Sequence, residues 1–294
     1  MTDSAVAREA ADRTLRARAG AWLFARVAGP EGPANRARIH GAPGPRRFGP
    51  DRPIRRVHGD AAMFVGGVRA LLLQSLHPLA MAAVAAHSGY RGDPWGRLQR
   101  TSTFLAVTTY GTDADAASAV ERVRRVHGAV RGTAPDGRDY RADDPHLLGW
   151  VHVAEVESFL WCHQRYGARP LDPAGCDAYV ADTAWVAEAL GVIDPPRSIA
   201  ALRERLSEYR PELRGTAQAR ETVRFLLHRP PLPPVARPAY AALATGAVQG
   251  LPPWARRELD LPEPSGPGSV LGPLAAGVMV GGIRWAMAVD APED

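Results

Sequence analysis

The chain has 294 residues, long enough to bury a large core as one domain or two small ones. Its 46% apolar and 23% charged content excludes a disordered chain. The net charge of +5 rests on arginine alone, because the sequence contains no lysine. That absence excludes Schiff-base, pyridoxal-phosphate and Walker-type lysine chemistry. The arginines are spread along helical patterns near acids, so a nucleic-acid surface is not expected.

Residues 4–28 form an amphipathic pattern, with Leu15, Ala19, Trp22, Leu23 and Val27 at helical spacing. This N-terminus has acids and arginines and no apolar leader, so a cytoplasmic location is the expectation. Residues 29–53 are rich in Gly, Pro and Arg and predict an extended arm. Asp60 is placed to cap an apolar helix over 61–76. His77-Pro78 should break that helix, since proline removes a backbone donor and disfavours helix at the residue before it. A second apolar helix follows over 79–86.

Asp93-Pro94 is a strong helix start, with Asp as cap and Pro in the first turn. Arg97, Arg100 and Thr101 then share one helix face. The next segment, TFLAVTTYGT, reads equally as strand or as more helix. A further helix begins at Asp113 or Asp115. In it Val120, Val123, His127 and Val130 make an apolar stripe on an Arg-rich helix. Residues 132–140 read as a turn, and Asp143-Asp144-Pro145 starts a long amphipathic helix. Helices are predicted over 172–190, 198–208, 216–228, 237–249 and 254–259, with the proline cluster RPPLPP as a linker.

The final apolar segment, VLGPLAAGVMVGGIRWAMAV, has the length of a membrane span. Arg284 and Pro273 argue instead for a terminal helix packed on the core, or for two shorter pieces. With no alternating β pattern and no repeat, the expected fold is all-α. It should be a single multi-helix domain preceded by the arm (1–54) and closed by the apolar C-terminal helix (261–294).

Cys162 and Cys176 lie outside any C-x-x-C pattern, so neither a structural zinc site nor covalent haem attachment is expected. Two readings fit His127: a core histidine satisfied by neighbours, or a metal ligand. A neutral imidazole on a rigid helix facing a dry cavity is what axial haem ligation requires. Two readings also fit Arg97, Arg100 and Thr101: a solvated face, or an anion-binding wall in which arginine forks meet carboxylates. For His77, hydrogen bonding at the helix break competes with pocket lining. His152 is either a core residue or a support to the site. His87, His146 and His163 read as structural or surface residues. Di-iron bundles use Glu-x-x-His pairs, and here only His152-x-x-Glu155 comes near that pattern.

The strings GVRALLLQSLHPLAMAAVAAHS, DPWGRLQRT, TTYGT, VRRVHGAVRG, YRADDPHLLGWVHVAEVESFL and YG occur in that order over roughly residues 55–260. In this the chain resembles the DUF2236 family, which contains the latex-clearing proteins (rubber oxygenases) and the MpaB-type oxygenases. The resemblance implies an all-helical protein built around a buried haem b that uses dioxygen on an apolar, isoprenoid-like or other small organic substrate. It assigns His127 as the proximal iron ligand, and His77 lies in another family motif. Arg97, Arg100 and Thr101 match an Arg-x-x-Lys-Thr pattern whose lysine can reach the distal iron position. Arg100 replaces that lysine here, and a guanidinium stays protonated and cannot ligate iron. The distal side would then be open, water-bound or gated by arginine. Two other classes remain in view: a non-haem iron enzyme, and a non-catalytic helical protein that binds lipid or a membrane surface.

Overall fold

A 22-residue helix, α8 (Pro145–Tyr166), forms the axis of the computed structural model, which describes residues 3–87 and 92–288. Asp144 starts it: the carboxylate accepts the N–H groups of His146 and Leu147 at 2.8 and 3.4 Å, and Pro145 follows in the first turn. Thirteen of its residues, among them Trp150, Val153, Ala154, Phe159 and Leu160, are buried. A helix apolar on nearly every side must be surrounded, and α8 is.

The main partner of α8 is α4 (Met63–Gln74). The two approach closely at Gly66, where a Cβ would stand 3.0 Å from the Phe159 ring. Arg69, buried within α4, forks onto Glu157 and also reaches Ser158 Oγ at 2.6 Å and the Gly250 carbonyl at 2.9 Å. Trp150 Nε1 donates to the Gln74 carbonyl at 3.1 Å. The chain breaks at His77-Pro78 as expected, and α5 (Pro78–His87) leaves α4 at 109°. One carbonyl freed by the break, that of Leu76, accepts the Arg214 N–H at 2.8 Å.

The short α3 (Pro53–His58) and α9 (Pro173–Leu190) pack on another side of α8, with α6 (Pro94–Tyr110) against α3 and α7 (Asp113–Ala129) against α6 and α9. Asp93 caps α6 through the Gly96 N–H at 2.8 Å. The segment TFLAVTTY continues α6 rather than forming a strand. Thr112 is the cap of α7, accepting the Asp115 N–H at 3.2 Å, so the two aspartates follow the cap as first-turn acids that complement the helix dipole. Beyond α8 come α10 (Ile199–Tyr209), a 3-10 turn (Arg210–Glu212), α11 (Ala217–His228), α12 (Arg237–Gly250), α13 (Pro253–Glu258) and α14 (Gly268–Met287). The protein is all-α in class.

Two sequence expectations need correction, and a third resolves between its alternatives. The arm is not extended throughout: Pro33 sits in the first turn of α2 (Gly32–Gly41), after α1 (Asp3–Ala28). The turn over 132–140 is a small antiparallel hairpin of β1 (Arg131–Thr133) and β2 (Asp139–Arg141), in register at Gly132 and Tyr140 and turned through Gly137 at φ 85°. The C-terminal segment is one helix that continues through Pro273. It packs on α12 through a narrow strip, with Ala276 and Val280 buried and Gly246 of α12 leaving no room for a Cβ beside Ala276. Its opposite face is open, with Val270, Leu271, Leu274 and Val278 each more than half exposed (61, 62, 58 and 76%). By length and composition alone α14 could cross a membrane.

Candidate functional site

The α6 face that carries Thr101 continues through Leu105 to Thr108, at i, i+4 and i+7. Thr101 is exposed, Leu105 is partly buried and Thr108 is 7% exposed. One helix face therefore runs from solvent into the interior. At its inner end a narrow cavity lies between α3, α6, α8 and α9, lined by Leu105, Thr108, His58, His152, Glu155, Phe159, Tyr179 and Asp182 among others.

The α8 residues reach this cavity by simple spacing. His152, Glu155 and Phe159 are three and four apart and share a face. Burial among apolar neighbours pushes the Glu155 carboxyl up to about 7 and the His152 imidazole down to about 4. His152 Nε2 is buried without a hydrogen-bond partner. At neutral pH the site therefore holds a neutral imidazole beside a carboxyl group poised between its two protonation states, an arrangement suited to taking or giving a proton. His58, at the end of α3, is pushed down to about 4 for the same reason. Its Nδ1 meets Thr109 Oγ1 at 2.8 Å and its Nε2 meets Tyr179 Oη at 3.2 Å. Asp182 fixes the start of α3 by accepting from Arg52 Nε at 3.1 Å and the Ile54 N–H at 3.4 Å.

At the outer end, α7 folds back on α6 across Gly111-Thr112. His127 lies in the last turn of α7, and Arg97, Arg100 and Thr101 lie in the first two turns of α6. His127 is half-buried, and its Nδ1 is buried without a partner. Desolvation lowers its pKa, against the opposing pull of Asp143, and so keeps the imidazole neutral. Arg100 is largely exposed and pairs with Asp93 at 3.3 Å. His77 stands apart from this cavity, at the α4–α5 break with Glu212 and His146. His87 meets Tyr140 Oη at 3.1 Å, and His163 is buried.

A family model described as the catalytic domain of the ER-bound oxygenase mpaB/B′ and rubber oxygenase matches residues 55–285. The chain belongs to this family. Two relatives of this chain are the uncharacterized proteins Mb2261 of Mycobacterium bovis and Rv2237 of Mycobacterium tuberculosis. Each is 36% identical over 111 residues, which is 36% of this chain and 43% of the relative. The match thus spans less than half the length of those relatives. No solved structure matches the chain.

Of the site residues expected from sequence, the fold leaves Arg97, Arg100 and Thr101 in the first turns of α6 and His127 in the last turn of α7, none of them lining the cavity. It sets His152 in the cavity nearer the other end of α6. His58, Glu155 and Tyr179 were not singled out as site residues. The spacing of His152 and Glu155 on an apolar helix was a local signal for one of them. His58 and Tyr179 had none, because they join the cavity only through the docking of α3 and α9.

Proposed function

We propose that this chain is a haem b-dependent oxygenase that uses dioxygen on an apolar or small organic substrate of isoprenoid-like character. The observation that carries this reading is the unpartnered, buried Nδ1 of a neutral His127, in a chain that belongs to an oxygenase family. A buried polar atom without a protein partner calls for an explanation, and a bound ligand is one that the family membership favours. A neutral imidazole on a helix fits the donor that iron requires, and the absence of lysine leaves histidine as the suitable nitrogen ligand here.

Haem, when bound, supplies the one-electron and dioxygen chemistry. His127 would hold its iron. Arg97 and Arg100, as guanidinium groups at the solvent end of α6, would pair with its propionate carboxylates or with a developing anion. Thr101 would offer a hydroxyl on the same face. Deeper in, Leu105 and Phe159 exclude water, and Glu155 with His152 holds or moves a proton at its carboxyl oxygen and Nε2.

The test is an absorption spectrum and iron analysis of the protein purified from haem-supplemented cells. A Soret band with matching iron content is expected. His127→Ala should lose most of the bound haem while keeping the wild-type far-ultraviolet circular dichroism. Full haem occupancy in that variant would remove His127 from the role of ligand, and wild-type protein without porphyrin would overturn the haem reading itself.

A further inference from the structure

Away from the cavity, three side chains with metal-binding atoms meet at the α4–α5 break. His77 stands at the break, His146 in the first turn of α8, and Glu212 in the 3-10 turn after α10. Their ligand atoms all lie within 4.8 Å of one another. His77 Nε2 is 3.3 Å from Glu212 Oε2, and His146 Nε2 is 2.9 Å from both carboxylate oxygens. The frame around them is fixed. Tyr209 Oη donates to the His146 carbonyl at 2.8 Å, and its ring lies 4.7 Å from the His146 ring. The Arg214 N–H bonds to the Leu76 carbonyl at 2.8 Å, which ties the segment after Glu212 to the residue before His77. Donors held by separate rigid elements do not have to be ordered when a ligand arrives.

The geometry points to a divalent transition-metal site of the zinc class, with His77 Nε2, His146 Nε2 and a Glu212 oxygen as protein ligands. Two imidazoles and one carboxylate make a zinc donor set in which three protein ligands leave one position for water. Calcium and magnesium favour all-oxygen shells and fit this set poorly. Tetrahedral bonds of about 2.0–2.1 Å put ligand atoms about 3.3 Å apart. The His77–Glu212 distance of 3.3 Å already meets that spacing, His146 at 2.9 Å has to retreat from the carboxylate by a few tenths of an ångström, and the two imidazole nitrogens start within 4.8 Å of each other. His77 is buried, whereas the side chains of His146 and Glu212 are 54 and 39% exposed, which gives the ion a route in and the fourth position access to water.

Without metal, the carboxylate accepts from both rings. Loading shifts each ring proton from Nε2 to Nδ1 and donates the Nε2 lone pair to the ion. At His77 the Ala80 N–H stands 3.5 Å from Nδ1, so that ring must pivot away from the amide as the ion binds. The bound ion then links the helix break to α8 and to the 3-10 turn, and it stabilises the fold in proportion to the logarithm of its concentration.

The experiment uses the full chain, stripped with chelator, and titrates Zn²⁺ by calorimetry and by thermal unfolding, with Co²⁺ as a spectroscopic probe. One equivalent should bind, the unfolding midpoint should rise with Zn²⁺, and Co²⁺ should give tetrahedral d–d bands. Glu212→Gln and His146→Gln change exposed side chains and should keep the fold while weakening Zn²⁺ binding by about a hundredfold. Wild-type affinity in both variants, or no midpoint shift in the wild type, overturns the proposal. His127→Ala should retain the full equivalent of Zn²⁺. Its loss there would place the ion at the haem-ligand position instead and would also overturn the site, whatever the fate of the haem reading.

Discussion

Helix α8 carries two groups of ionisable residues that are solved in opposite ways. In its first turn, His146 meets Glu212, and the same carboxylate reaches His77. Two turns further on, His152 and Glu155 face a cavity in which His152 Nε2 has no partner and desolvation sets the state of both groups. The first group is internally satisfied and half open to water. The second is enclosed and keeps polarity that its own neighbours do not neutralise. Leaving a buried polar group unpaired costs about 1–3 kcal/mol, so the unpartnered His152 Nε2 is stability given up for a function there. The contrast separates a half-open cluster whose donor atoms already converge on one another from an enclosed cavity that is set up to meet a ligand or a proton.

Both groups depend on α8 being held rigidly, and the largest predicted effect tests that shared support. Arg69→Met removes the guanidinium that joins α4 to Glu157 and Ser158 and leaves Glu157, 20% exposed, without its partner. Breaking a buried pair in this way costs about 3–5 kcal/mol, while replacing both partners with apolar residues costs much less. Urea unfolding of Arg69→Met and of Arg69→Met/Glu157→Leu should show a large loss and then a recovery. A single-variant loss below about 1 kcal/mol would mean that α8 is anchored elsewhere and that its two ends are independent.

The next effect isolates the enclosed group. Glu155 titrates near 4.5 when unfolded and near 7 when folded. Between those values the folded chain keeps a proton that the unfolded chain has lost, so this group makes stability fall as pH rises through the window. The change amounts to about 3 kcal/mol. His58 and His152, depressed from 6.5 to about 4, act with the opposite sign, adding stability as pH rises from 4 to 6.5. Their contribution cancels when Glu155→Gln is compared with wild type. The variant's stability relative to wild type should therefore climb from pH 5 to pH 7 and then level off. A flat difference across that range would remove Glu155 from the list of buried titrating groups.

The sequence makes some of this visible and hides the rest for physical reasons. Helix starts were legible because their chemistry is local: Asp93-Pro94 and Asp144-Pro145 each place an acceptor and a proline within one turn. The His77-Pro78 break was legible for the same reason. Helix α2 was not, because Gly32 and Pro33 suggest an arm until Pro33 is recognised as a first-turn proline. The open face of α14 was hidden by a segment that is apolar on all sides, in which periodicity cannot say which face is covered. At the candidate site the sequence supplied helical neighbours: Arg97 with Thr101, and His152 with Glu155. It could not supply His58 beside Tyr179, 121 residues apart, or His146 beside Glu212, 66 apart, since only tertiary packing brings those pairs together.

The smallest predicted effect bears on the open end of the α6 face. Arg100 and Asp93 form an ion pair whose side chains are 67 and 61% exposed. Exposed pairs of this kind contribute about 0–1 kcal/mol, because water screens the attraction and ordering two side chains costs entropy. Asp93 keeps its bond to the Gly96 N–H when the arginine is removed, so the start of α6 stays capped. Arg100→Ala should therefore leave the urea midpoint of the haem-free protein within about 0.5 kcal/mol of wild type. The same substitution should lower haem retention if Arg100 helps to pair with propionates at that end. A stability loss above about 1 kcal/mol would instead make Arg100 a brace of the helix start. The α6 face would then run from a structural surface, rather than from an open binding wall, into the cavity around Glu155.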